Sequence, residues 1–279
     1  MAIKDLLLHL ESHDSAKPAI DFATSLAVRT GAHLRAAGIV TEYPPPTAGP
    51  SLAGAGFVSI AALEELIQEN REALEEYGRK FVANAPAGIQ AEFTVIQGYR
   101  GDACRDFARL ARYYDLSVIG QGTPEDGRLD RRIVSETLFG SGRPVFVVPF
   151  IHKGPARLER AMICWDGGVQ AARTLAAAMP LLALSRSVEV VSIGGNREPD
   201  TEPDLSIARH LARHGISVSL TALPGGEEVG DAILSYAAET GADYIVMGAY
   251  GHWRLTEFVM GGTTRTVLAS MTAPVLMAH

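Results

Sequence analysis

Short apolar segments alternate with helix-patterned segments along nearly the whole of this 279-residue chain, and the alternation begins again after residue 159. The first round reads as strands over 4–10, 33–40, 90–96, 116–119 and 144–148, separated by helices over 16–31, 59–83, 102–114 and 131–139. The second reads as strands over 161–165, 188–193, 216–220, 244–247 and 274–278, with helices over 169–184, 204–214, 228–240 and from Thr263 onward. A strand, a helix and a second strand of the same sheet join by a right-handed crossover that leaves the strands parallel. The pattern therefore predicts an α/β fold: two tandem doubly wound parallel-sheet domains of about five strands each, Rossmann-like, with helices on both faces.

Internal similarity supports a duplication. LLLHLES at 6–12 aligns with AMICWDG at 161–167, LSVIGQG at 116–122 with YIVMGAY at 244–250, and RPVFVV at 143–148 with APVLMA at 273–278. Between the copies, residues 150–159 are polar, broken by Gly154 and Pro155, and read as a linker. The expected domains are 1–150 and 159–279. Each ends in a strand that would lie at a sheet edge, where unpaired backbone invites a partner, so the halves are expected to satisfy each other or to drive a homodimer. The Pro- and Gly-rich stretch 43–57 fits neither element and reads as a spacer loop.

With 47% hydrophobic residues the chain can bury a large core, and a net charge of -7 argues against general affinity for nucleic acid or an anionic membrane surface. Small molecules or proteins are the expected partners. Cys104 and Cys164 have no metal-ligand spacing and are expected reduced and buried, as in a cytoplasmic protein. The apolar run in MAIKDLLLHLES is too short for a signal-peptide core, and no stretch is long enough to span a membrane.

The chemistry concentrates in the last 37 residues, from Asp243 to His279. Glycines at 248, 251, 261 and 262 lie between two strands, and Thr263, Thr264 and Arg265 open the helix that follows. A phosphate needs several N–H groups aimed at it, which calls for residues without side chains at the turn and the unpaired N–H groups of a helix start. Gly261 and Gly262 would supply the first, Thr263 and Thr264 the second. Taken alone, such glycines are more often turn and cap chemistry.

The full pattern, Gly248-x2-Gly251-x9-Gly261 between two strands, resembles the nucleotide signature of the universal stress protein family, whose fold is that of the adenine nucleotide alpha hydrolases. The departure is Gly262, where the family has a small or hydroxyl residue; the threonines follow one and two places later. The resemblance covers nearly the whole chain. It implies a nucleotide across the carboxyl ends of strands one and four of a domain. In the second domain it implies Asp166 near the adenosine, Ile193 against the adenine and Met247 flanking the base. The first domain has Glu11 in place of the aspartate, Thr123 in place of the second glycine and no glycine pair in LDRRIVSE, while Glu125, Asp126 and Asp130 would repel phosphates. It reads as a degenerate copy.

Other motifs carry less. His210 and His214 are four apart on one helix with no third ligand nearby, and read as surface histidines. His252 and Arg254 in the glycine loop either meet phosphate charge or are ordinary loop residues. There is no GxSxG elbow, no P-loop and no lysine after Gly251, so binding without fast turnover is expected. The resemblance thus implies a sensor or regulator that binds an adenine nucleotide, ATP first, with magnesium an open companion. Binding would order the 251–261 loop and change a surface seen by an unidentified protein. A slow ATP-hydrolysing or adenylating enzyme, or a module for another small ligand, are the alternatives.

Overall fold

The computed structural model describes residues 2–43, 60–122, 129–194, 202–225, 228–249 and 262–279. In chain order the first half contains β1 (Asp5–Leu10), α1 (Lys17–Thr30), β2 (His33–Glu42), α2 (Ile60–Ala83), β3 (Ala91–Tyr99), α3 (Arg100–Ala111), β4 (Leu116–Gly120), α4 (Leu129–Ser141) and β5 (Val145–Val148). The second contains β6 (Arg160–Cys164), α5 (Val169–Leu182), β7 (Ser187–Ile193), α6 (Glu202–Arg213), β8 (Val218–Leu223), α7 (Val229–Thr240), β9 (Tyr244–Gly248), α8 (Gly262–Ser270) and β10 (Val275–Ala278). Each element falls where the alternation predicts it, with boundaries shifted by up to three residues. β3 runs on to Tyr99, because its pairing with β2 continues to Glu42↔Tyr99. α3 begins two residues early, through Gly101. β8 begins at Val218 because the Ile216 N–H still bonds the Leu211 carbonyl and closes α6 through left-handed Gly215.

All ten strands form one sheet in the order β3-β2-β1-β4-β5-β10-β9-β6-β7-β8. Each half has the doubly wound order, with its first strand in the middle. The halves meet where β10 pairs antiparallel with β5, Val275 opposite Val147 and Met277 opposite Val145. Each strand that would have been an exposed edge is therefore the other's partner.

The alternation of side chains along the strands divides the interior into two layers, and both cross the seam. On one face Leu6, Leu8, Phe146, Ile163 and Leu276 pack under α1, α5 and α6. On the other Leu7, Val147, Met162, Val275 and Met277 pack under α3, α4, α7 and α8. Phe146 of β5 touches Phe22 of α1, with ring centres 4.9 Å apart, and Tyr244 of β9 at 5.9 Å. The Tyr244 hydroxyl hydrogen-bonds Ser185 at 2.9 Å, which satisfies the one polar atom on a fully buried ring.

His9, near the end of β1, is 5% exposed and stacks edge-on against Phe107 of α3. Burial, and secondarily the neighbouring His13, lowers its pKa from 6.5 to about 4. His9 is therefore neutral in the folded protein. Its contribution to stability is whole above the unfolded pKa near 6.5 and is lost as pH falls towards 4, a total of about 3 kcal/mol. Between pH 7 and pH 4 denaturant titrations should show the parent losing that amount of stability relative to His9→Leu; parallel pH curves would show that His9 is not buried neutral.

Candidate functional site

The carboxyl ends of β6, β7 and β9 converge where the crossovers of the second half diverge, with β7 on one side of β6 and β9 on the other. Doubly wound sheets leave their crevice at that point. β6 ends at Cys164, and Trp165, Asp166 and left-handed Gly167 turn the chain into α5. The Asp166 Oδ1 accepts the Gly168 N–H at 2.7 Å, so this carboxylate shapes the turn before any ligand is considered. Gly248, at the end of β9, lies directly on the first turn of α5. A Cβ there would come within 2.6 Å of the Ala171 nitrogen and 2.8 Å of the Gln170 carbonyl carbon. This glycine of the signature is thus required by helix–strand packing as well as by any ligand.

A cavity of about 260 Å³ opens at this crevice. The sequence-predicted residues Asp166, Ile193, Met247, Gly248, Gly262, Thr263 and Thr264 all line it. Gly251 and Gly261, with His252 and Arg254, lie outside the described residues, as do Thr123, Glu125 and Asp126 of the first half. The volume lies just below the ~300–1,000 Å³ of typical small-molecule sites. One wall is apolar, from Val191 and Ile193 of β7 and Met247 of β9. The start of α8 forms the other side, with Thr264 buried at 4% exposure and the positive end of the helix dipole turned towards the cavity.

Sequence reasoning missed the floor of this cavity. Val229 and Ile233 of α7 and Trp165 also line it, as does Cys164, which is partly exposed to the cavity instead of fully buried as expected. Desolvation pushes the Cys164 thiol up to about 12, so it is not an activated nucleophile. The i, i+4 spacing of Val229 and Ile233 was the available signal. His210 and His214 stack on each other at 4.9 Å on the exposed face of α6, which agrees with their reading as surface histidines. A larger cavity of about 720 Å³ lies between α1 and the end of α2, beside Gly154 and Pro155. It is far from the strand ends and the glycines, so the smaller cavity is the better candidate.

The first half provides an internal comparison. The sheet register and the repeats place His9 at the position of Cys164, Ile119 at that of Met247, and Cys104 at that of Ile233. Aligning 143–148 with 273–278 sets Ile133 against Thr263 and Arg132 against Gly262. His9, Ile119, Cys104 and Ile133 are all buried, at 5% exposure or less. Met247 and Ile233 are as closely packed, at 4% and 2% exposure, so the halves differ at Cys164 and Thr263, which are half-buried where His9 and Ile133 are buried. The Arg132 guanidinium lies over the start of α3, where a Cβ on Gly101 would meet it at 2.5 Å.

A tandem, doubly wound α/β protein with a ligand-sized crevice at the switch point of its second half is the class these features define. Residues 192–279 match the profile of the Universal stress protein family. Over 98% of its length the chain is 25% identical to the universal stress protein Slr1230 of Synechocystis sp., covering 99% of that protein. Among solved structures it is similar to a universal stress protein from Archaeoglobus fulgidus, 18% identical with a TM-score of 0.71, covering 98% of this chain and 95% of that one. It is similar also to a functionally unknown protein from Pseudomonas aeruginosa, 17% identical with a TM-score of 0.51, covering 99% and 92%. The family's profile thus covers the carboxyl-terminal third of the chain, and the likeness to universal stress proteins extends over nearly all of it.

The close approach at Gly248 generates a prediction of its own. Gly248→Ala should destabilise the protein by about 1–3 kcal/mol, as overpacking against an immobile backbone does. Chemical denaturation measures this, and an unchanged midpoint would mean that α5 can retreat at no cost.

Proposed function

We propose that the second half binds an adenine nucleotide, with ATP the first candidate, and that the protein works as a nucleotide-dependent regulator. The observation that carries this reading is the single cavity shared by Asp166, Ile193, Met247, Gly248 and the Gly262-Thr263-Thr264 start of α8. Its apolar wall suits a flat base held between Ile193 and Met247. Asp166 stands at the mouth, where a ribose would present hydroxyls. Phosphates would take the N-terminus of α8, whose backbone N–H groups and threonines donate to them. Gly251 and Gly261 complete the glycine pattern in sequence.

Among the described residues Asp166 is the only carboxylate lining the cavity, and its Oδ1 already accepts a backbone N–H. Any magnesium would therefore be carried chiefly by the phosphates. No lysine, arginine or histidine stands among the described residues of the wall. Such a wall favours holding a nucleotide over turning it over, since phosphoryl transfer relies on fixed positive charge. The regulatory output would then be a protein partner that distinguishes the loaded from the empty state. None of the described helices is long and apolar enough to cross a membrane, which suits a cytoplasmic role.

Titration calorimetry with ATP and magnesium should give one nucleotide per chain, because the first half has buried His9 and Ile133 where the second has Cys164 and Thr263, and lacks the glycine pair. A stoichiometry near two would overturn the asymmetry. Gly262→Val is a clean test of the phosphate end, since a Cβ at Gly262 meets no atom within 4 Å and the fold should tolerate it. Losing one or two charge-assisted contacts there should weaken binding at least about tenfold. Unaltered affinity would place the phosphates elsewhere, and ADP formation at about 1 per second or faster would replace binding with catalysis.

A further inference from the structure

At the opposite, amino-terminal end of the strands, a cleft of about 520 Å³ lies between the halves. Four arginines line it: Arg29 from α1, Arg157 and Arg160 from the end of the linker and the start of β6, and Arg186 from the turn before β7. The carboxylates there are Glu159 and Asp243. Asp243 is committed, its Oδ2 accepting the backbone N–H groups of Glu159 at 3.1 Å and Arg160 at 2.8 Å. The Arg186–Glu159 approach is 3.9 Å, and Arg29 donates to the Leu184 carbonyl at 3.4 Å, both long. Arg157 and Arg160 form no ion pair among the described residues.

An ordinary explanation would have these cations offset the negative ends of helices. Arg160 does lie over Gly241, the left-handed cap of α7, and Arg29 near the end of α5. The duplication tests that explanation. The first half builds the same corner, with Asp115 Oδ2 accepting the N–H groups of Lys4 at 2.7 Å and Asp5 at 3.1 Å. The aspartate is thus demanded by the fold in both copies. The arginines are not: Asp5 replaces Arg160, Ala32 replaces Arg186, Ala2 replaces Arg157, and Leu181 of α5 stands where Arg29 stands in α1. The same corner folds with an acidic residue and alanines, so four guanidiniums gathered on a chain of net charge -7 need another reason.

We propose that this cleft binds a small phosphorylated anion carrying at least two phosphate groups. The guanidinium fork matches phosphate oxygens two at a time, and arginines from both halves would close on one ligand. The site is separate from the proposed nucleotide crevice, which lies at the other end of the strands.

Titration calorimetry of the full chain with inorganic tripolyphosphate tests it. The parent should bind, more weakly as salt is raised. The double variant Arg157→Glu, Arg186→Glu alters two exposed side chains, should keep its circular dichroism, and should lose at least about tenfold in affinity. Gly262→Val should bind as the parent does. Affinity that survives the arginine changes, that disappears with Gly262→Val alone, or that is absent at millimolar tripolyphosphate overturns the site. Equally tight binding of citrate overturns its assignment to phosphates.

Discussion

The antiparallel pairing of β5 with β10 is the contact on which the rest of the molecule depends. A five-stranded doubly wound half leaves its last strand unpaired on one side, buried by helices above and below yet with a row of free N–H and C=O groups. Water cannot reach such an edge without opening the hydrophobic layers. Pairing the two edges within one chain removes both exposures at once. It also merges the apolar layers, so that Phe146 packs against Phe22 of its own half and Tyr244 of the other. The outer edges, β3 and β8, remain partly exposed and carry polar residues such as Glu92, Gln97 and Ser219.

Once one sheet holds both halves, their crevices can diverge. Buried Ile133 contributes about 1.5–3 kcal/mol, an appreciable part of the ~5–15 kcal/mol that separates folded from unfolded chains. The second half forgoes that contribution at Thr263, where it keeps an opening instead. A crevice made by omitting side chains weakens the half that carries it. The first half, joined through β5 and β10, offsets that weakness through the shared layers.

Much of the fold was legible in the sequence, because a buried parallel strand is a short apolar run and a crossover helix repeats its apolar residues every three to four positions. What escaped is specific. Residues 97–101 fall between the strand read over 90–96 and the helix read over 102–114, yet the chain runs straight from β3 into α3 there. Residues 216–217 read as strand because Ile216 is apolar, but its N–H is spent on closing α6. At the crevice the strand-end residues and the glycine–threonine start of α8 were legible, since their chemistry is local. Val229 and Ile233 were not, because an apolar position on a helix, exposed like Val229 or buried like Ile233, looks the same in sequence whether it meets a core, solvent or a cavity.

The same omission of side chains ties stability to occupancy. A ligand that binds only the folded state at a concentration one hundred times its dissociation constant adds about 2.7 kcal/mol to stability. That is close to what one buried isoleucine adds to the first half, so an occupied second crevice would approach the stability of its counterpart. The difference between the two states would be felt most at α8 and at the first turn of α5, which Gly248 holds against β9. Because β9 pairs with β10 and β10 with β5, any loosening there is delivered to the seam. On the proposed reading, such a regulator would need no separate moving domain: the first half would serve as a fixed reference against which the second tightens or loosens.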